Sequence, residues 1–105
     1  MDLSLYLITD RHLTGGKNLL TVLEQAIQGG VRAIQLREKD LSAQALYELA
    51  RQVCALTLAH DVALFVNDRV DVALAVGADG VHLGQGGLDA DVARRIVGRN
   101  FQIGV

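Results

Sequence analysis

The sequence contains no proline, a single cysteine and 4% aromatic residues, and each shortage removes a class of reading. With one class of breaker missing, punctuation falls to the 11 glycines, which lie between periodic segments and form no low-complexity tract. The lone Cys54 cannot make an internal disulfide. Its place in the helical pattern Val53-Cys54-Ala55-Leu56 favours a buried, inert thiol over a nucleophile. Few aromatics and a net charge of -2 supply neither the stacking platform nor the basic stripe that a nucleic-acid partner needs. No apolar run approaches the ~18 residues of a membrane span. Met1-Asp2-Leu3-Ser4 also lacks the basic region that precedes the apolar part of a secretion signal. The expectation is a cytoplasmic protein with no nucleic-acid and no membrane partner.

What is present reads as one globular domain at most. Half of the 105 residues (50%) are hydrophobic, and no linker or charge run marks a boundary within 1–105. Residues 3–9 form an apolar, β-favouring run. After a Gly15-Gly16 turn, Leu19, Leu20, Leu23, Ala26 and Ile27 recur at helical spacing, with Asn18 as N-cap and Gly29 as the stop. Residues 31–37 give a second strand. Ser42 then caps a long amphipathic helix whose stripe is Leu46, Leu49, Ala50, Val53, Leu56 and Thr57. A third strand over 63–67 leads into a short helix over 69–76, with Asp68 as its N-cap and Gly77 as its close. A fourth strand over 80–83, a helix over about 89–97 and a fifth strand over 101–105 complete the order. Such alternation specifies a parallel sheet with right-handed crossovers, (βα)4 plus one strand.

Two architectures accept this order: a doubly wound open sheet and part of a TIM (β/α)8 barrel. An open sheet covered on both sides requires apolar residues on both faces of its central strands. Here Gln35, Arg37, Asn67 and His82 recur at strand C-terminal ends, as a barrel mouth requires. The barrel is favoured, although a complete one takes roughly 200 residues or more.

The period of two along the second strand puts Gln35, Arg37 and Lys39 on one face and Ile34 and Leu36 on the other. Unpaired buried cations would cost several kcal/mol each, so this face needs water, acidic partners or an anion. A phosphate or pyrophosphate suits a planar guanidinium beside a point-charge ammonium. The alternative is pairing with Glu38, Asp40 or a neighbouring strand's carboxylate. Asp68, directly after Asn67 at the end of the third strand, is a helix cap, a ligand for Mg²⁺ bridging a pyrophosphate, or both. Asp71, inside the short helix, reads as solvated. His82 is either a core histidine or an acid or base, and His12 and His60 have no ligand-like spacing to it. Gly84-Gln85-Gly86-Gly87 would admit an anion to backbone N–H groups but lacks the dinucleotide and Walker spacings.

The stretches Tyr6-Leu7-Ile8-Thr9-Asp10, Gln35-Leu36-Arg37-Glu38-Lys39-Asp40, Asn67-Asp68-Arg69-Val70-Asp71-Val72-Ala73, Gly77-Ala78-Asp79-Gly80-Val81-His82-Leu83-Gly84-Gln85 and Ile103-Gly104-Val105 resemble the thiamine-phosphate synthase family in order and spacing. The resemblance spans essentially the whole chain and about the first half of such an enzyme. It implies the N-terminal half of a TIM (β/α)8 barrel, and a transferase of thiamine biosynthesis that couples hydroxymethylpyrimidine pyrophosphate to a thiazole phosphate with Mg²⁺, releasing pyrophosphate. The implied chemistry is dissociative: pyrophosphate leaves, and the thiazole nitrogen captures the pyrimidine methylene cation. It further implies that Arg37 and Lys39 are catalytic contacts to the leaving pyrophosphate, that Asn67 also binds it, that Gln35 and Gln85 belong to the pyrimidine end, and that Asp68 is a magnesium ligand.

Two departures from the family pattern stand out. Gly87 occupies the position where a second magnesium carboxylate is usual, and Asp89, two residues on, is the candidate substitute. The chain also ends at Val105, before the family's later Ser, Thr and Lys and its Gly-rich loops for the thiazole phosphate. A half barrel would leave strand edges and apolar surface open. The expectation is therefore a homo-oligomer or a chain missing its C-terminal half. The non-enzymatic alternative is a half-barrel that self-associates and retains at most phosphate or pyrophosphate binding. A thiazole tautomerase-like relative is a third reading, which the Gln35-Arg37-Lys39 and Asn67-Asp68 pattern opposes.

Overall fold

The computed structural model describes residues 6–84 and 86–105. Along the chain run β1 (Tyr6–Ile8), a short 3-10 turn (Arg11–Leu13), α1 (Leu19–Gln28), β2 (Ala33–Leu36), α2 (Ala43–Ala59), β3 (Ala63–Asn67), α3 (Val70–Val76), β4 (Gly80–His82), α4 (Ala90–Val97) and β5 (Gln102–Gly104). This is the alternation the periodicity predicts. The helix ends follow the expected chemistry: Asn18 Oδ1 accepts from the Leu20 N–H at 2.8 Å, and Ser42 Oγ accepts from the Ala45 N–H at 3.2 Å. Gly77 closes α3 at φ 74, in the left-handed region where a side chain would be strained.

The start of α3 corrects the sequence reading. Arg69, not Asp68, holds the N-cap position, and no side chain caps the helix. Asp68 instead adopts φ 61, which turns its carboxylate away from α3 to accept the Gly84 N–H at 2.6 Å. A carboxylate offered two backbone donors, its own helix and a neighbouring turn, takes the one brought by tertiary structure. Strands are also shorter than their apolar runs. The second ends at Leu36 because the Arg37 N–H leaves the ladder and donates to Thr9 Oγ1 at 3.0 Å.

All five strands are parallel and lie in the order β1-β2-β3-β4-β5. A doubly wound sheet reverses its strand order at a switch point, so the sequential order decides for the barrel type. Consecutive helices pack against one another, α1 on α2, α2 on α3 and α3 on α4, forming one layer. Between that layer and the sheet lies the core, in which Ile34, Leu36, Leu64, Val66 and Val81 meet Leu23, Leu46, Ala50, Val53, Val72 and Ala93. Cys54 belongs to this core, its thiol against the Val76 carbonyl at 3.2 Å, and burial pushes its pKa up, away from thiolate reactivity. Asp79 works at the opposite end of the strands from the polar row. Its carboxylate accepts the Leu64 N–H at 2.8 Å and ties the entry of β3 to that of β4.

Gly80 pairs with Phe65 on one side and Gln102 on the other. A β-carbon there would collide with the Gln102 carbonyl and lie 2.9 Å from Phe65 Cε2. Gly80→Val is therefore expected to destabilise the chain by about 1–3 kcal/mol, read as a lower urea-unfolding midpoint. An unchanged midpoint would show that β4 and β5 do not pack at this distance.

Candidate functional site

The face of the sheet away from the helices carries the other half of each strand's alternation. Register places Gln35 opposite Ile8 and Phe65, and Asn67 opposite His82. These side chains line a cavity of about 800 Å³, together with Tyr6, Arg37 and Lys39. The volume lies in the range of small-molecule sites. Its floor is largely aromatic and aliphatic, with the Tyr6 and Phe65 rings 6.4 Å apart, and its polar groups gather at the C-terminal ends of β2 and β3.

The sequence-predicted row Gln35, Arg37 and Lys39 does face one space. Gln35 is buried at 3% exposure and fixed from both sides: the Asn67 Nδ2 group donates to Gln35 Oε1 at 2.9 Å, and Gln35 Nε2 donates to the Tyr6 hydroxyl oxygen at 2.7 Å. This chain crosses three strands and leaves the Tyr6 hydroxyl proton free to point into the cavity. Arg37 and Lys39 are exposed, and among the described residues neither takes part in an ion pair. Pairing with Glu38 or Asp40 is not what the fold adopts. Glu38 accepts from Thr9 Oγ1 at 2.6 Å and from the Arg11 backbone N–H at 3.1 Å. The Arg11 guanidinium reaches both Glu38 and Asp40. Arg11 above all, and His12 after it, hold the Asp40 carboxyl well below the usual carboxylate range.

Asp68 follows Asn67 directly, beside the turn at Gly84 and Gly87, and lines a smaller adjoining cavity with Lys39 and Asn67. Its Oδ1 is taken by the Gly84 N–H, and a β-carbon at position 87 would lie 2.5 Å from that same oxygen. The bare glycine is thus a condition of the close approach: a side chain at 87 requires the turn or the Asp68 carboxylate to move. Asp89 caps α4, its carboxylate accepting from the Asp91 N–H at 3.2 Å. No group of three His, Cys, Asp or Glu side chains with metal-ligand geometry occurs among the described residues. A single carboxylate with one uncommitted oxygen fits a cation that keeps most of its waters, as Mg²⁺ does. Asp71 is solvent-facing, as its place in α3 predicts, and pairs with Arg69 at 2.9 Å. His82 lines the cavity, with its Nδ1 buried and unpartnered among the described residues. Gln85 lies outside the described residues.

A family model described as thiamine monophosphate synthase matches residues 5–105. The chain belongs to that family. A protein of Geobacter sulfurreducens is 59% identical over 105 residues, covering 100% of this chain and 49% of its own length. Thiamine-phosphate synthases of Persephonella marina and Clostridium tetani are 50% and 46% identical over 105 residues, again the whole chain and 50% of each relative. The thiamine phosphate pyrophosphorylase structure from Pyrococcus furiosus superposes with a TM-score of 0.87 at 42% identity, over 96% of this chain and 48% of that one. The chain therefore spans about half the length of the relatives it matches, and its fold is the corresponding part of a family barrel. No helix among the described residues is long and apolar enough to cross a membrane.

Tyr6, Ile8 and Phe65 were not among the site residues predicted from the sequence. Alternation along β1 and β3 puts each on one face, but only the register shows that these faces coincide with that of Gln35.

The positive φ at Asp68 makes a sharp prediction. Asn tolerates the left-handed region and keeps an acceptor for the Gly84 N–H, so Asp68→Asn is expected to match the parent in urea unfolding. Asp68→Ala is expected to lose about 1–2 kcal/mol. Equal midpoints for the two variants would show that the turn does not depend on Asp68.

Proposed function

We propose that this chain supplies the pyrophosphate end of a cytoplasmic thiamine-phosphate synthase, which couples hydroxymethylpyrimidine pyrophosphate to a thiazole phosphate. The observation that carries the reading is the pair of exposed cations, Arg37 and Lys39, which among the described residues have no carboxylate partner and stand beside an aromatic-floored cavity. In the proposed reaction the bond between the pyrimidine methylene carbon and the pyrophosphate oxygen breaks, and its electron pair leaves with pyrophosphate. The thiazole nitrogen lone pair then forms the new C–N bond to that carbon. Arg37, Lys39 and the Asn67 amide stabilise the charge that accumulates on the leaving oxygens, where fixed donors matter most. Gln35, held by Asn67 and Tyr6, and Gln85 orient the pyrimidine ring. Tyr6, Ile8 and Phe65 exclude water from the cation's surroundings.

Mg²⁺ would be held by Asp68, with Asp89 as the candidate second carboxylate, and would offset negative charge on the pyrophosphate. The thiazole phosphate is expected to meet residues from the half of the relatives' length that this chain does not span, supplied by further sequence or by a second copy of the chain. Under the competing reading, the half-barrel is catalytically incomplete and binds phosphate or pyrophosphate only.

Calorimetric titration with inorganic pyrophosphate and Mg²⁺ tests the reading first. Arg37→Ala and Lys39→Ala are each expected to weaken binding about 10- to 100-fold, the loss of one or two charge-assisted contacts. No binding by the parent chain would sink the proposal. Incubation with both substrates and Mg²⁺ then separates the two readings: thiamine phosphate supports the enzyme, and pyrophosphate binding without product supports the incomplete module. Asp89→Asn preserves the α4 cap while removing the charge, so it is expected to raise the Mg²⁺ concentration needed for pyrophosphate binding. An unchanged requirement removes Asp89 from the metal site.

A further inference from the structure

Residues 37 to 40 read Arg-Glu-Lys-Asp, two cations interleaved with two carboxylates. Left alone, such a segment neutralises itself, and its cations offer little to an anion. β2 ends at Leu36, so the sheet ladder does not enforce the alternation of these four side chains. The loop after β1 does. Its Thr9 hydroxyl donates to Glu38 Oε2 at 2.6 Å while accepting the Arg37 N–H at 3.0 Å. Its Arg11 guanidinium donates to Glu38 Oε1 at 3.1 Å and grips Asp40 with both terminal nitrogens, at 2.5 and 2.9 Å. His12 Nε2 lies 2.8 Å from the same Asp40 carboxylate.

We propose that Arg11 is a positioning residue that captures the Asp40 and Glu38 carboxylates and so keeps Arg37 and Lys39 free for an anionic ligand. Identifying that ligand as pyrophosphate rests on the function proposed above; the capture itself does not. Two carboxylates and one planar fork match in geometry, since a guanidinium grips one carboxylate with two coplanar N–H groups while still reaching a second, whereas an ammonium is a point charge with no such fork. The two partners are not equally held. Glu38 is 6% exposed and keeps the Thr9 hydroxyl and a backbone N–H when Arg11 is removed. The Asp40 side chain is 52% exposed, and its other side-chain partner is His12. Asp40 is therefore the carboxylate that Arg11 keeps from turning back onto Lys39 or Arg37. A direct contact between Arg11 and the ligand is not the simpler account. Arg11 lines neither the 800 Å³ cavity nor the adjoining one of about 550 Å³ into which Arg37 and Lys39 also project.

The test is calorimetric titration of the full chain with inorganic pyrophosphate and Mg²⁺, with circular dichroism confirming that each variant folds. Arg11→Met is expected to weaken binding at least tenfold, and Arg11→Met combined with Asp40→Asn to regain most of that loss, because the freed competitor is then uncharged. Arg11→Lys, which keeps the charge without the fork, should fall between Arg11→Met and the parent. Parental affinity in Arg11→Met overturns the proposal. So does a loss that Asp40→Asn fails to restore, which would mean that Arg11 holds the loop or touches the ligand. If the parent chain itself does not bind pyrophosphate, the functional reading fails and a crystal structure of Arg11→Met decides this one. A carboxylate of residue 40 or 38 within about 4 Å of Lys39 or Arg37 would uphold it. Both cations still unpaired would overturn it.

Discussion

Parallel pairing in strict sequential order is the constraint from which the rest of the molecule follows. Because β1 to β5 run the same way and each pairs with the next, every strand delivers its C-terminal residue to a single edge. A parallel ladder also fixes which face each residue takes, since side chains alternate with period two and the register leaves no freedom. One face then collects Ile34, Leu36, Leu64, Val66 and Val81 for the helices, and the other collects Gln35, Asn67 and His82 for the cavity. Helices confined to one layer leave that second face to a ligand or to the rest of a barrel.

Near the strand ends, side chains take over from the ladder. Thr9, Glu38 and Arg11 hold the loop after β1 against the end of β2, and the Arg37 N–H is satisfied by a hydroxyl where a strand carbonyl would have served. Asp68 does comparable work at the end of β3, where a left-handed backbone directs its carboxylate to Gly84. In both places a polar side chain closes a backbone hydrogen bond that secondary structure leaves open, as buried or half-buried backbone demands. Both closures also set charge: among the described residues, the first leaves Arg37 and Lys39 without an ion-pair partner, and the second engages only one oxygen of the Asp68 carboxylate.

The residues that the resemblance implies for the leaving group lie close together in the fold. The resemblance assigns Arg37, Lys39, Asn67 and Asp68 to the leaving group and its metal. The structure brings Arg37, Lys39 and Asn67 into one cavity with Asp68 following directly. Gly87 is where family pattern and geometry inform each other. The family pattern marks it as a missing carboxylate, whereas the geometry shows that Asp68 already occupies the space a side chain there would need. Not every shared stretch is chemical, however: Asp79 lies within one and serves the entry of β3 and β4.

Much of this was legible in the sequence because its signals are local. Helix caps at Asn18 and Ser42, the alternation in Gln35-Leu36-Arg37, the glycine at 77 and the apolar stripe of α2 each depend on residues a few positions apart, and all are realised. The placement of polar residues at strand ends was enough to favour a barrel over an open sheet. What the tertiary structure decided are the contests between partners. Asp68 had a helix and a turn to choose from, and the turn won. Glu38 and Asp40 had the adjacent cations and the distant Arg11, and Arg11 won with a fork 27 and 29 residues away. Tyr6 and Phe65 reach the cavity only through register. Sequence spacing fixes which groups are available, but which of two suitable partners a polar group takes depends on distances that only the packed sheet sets.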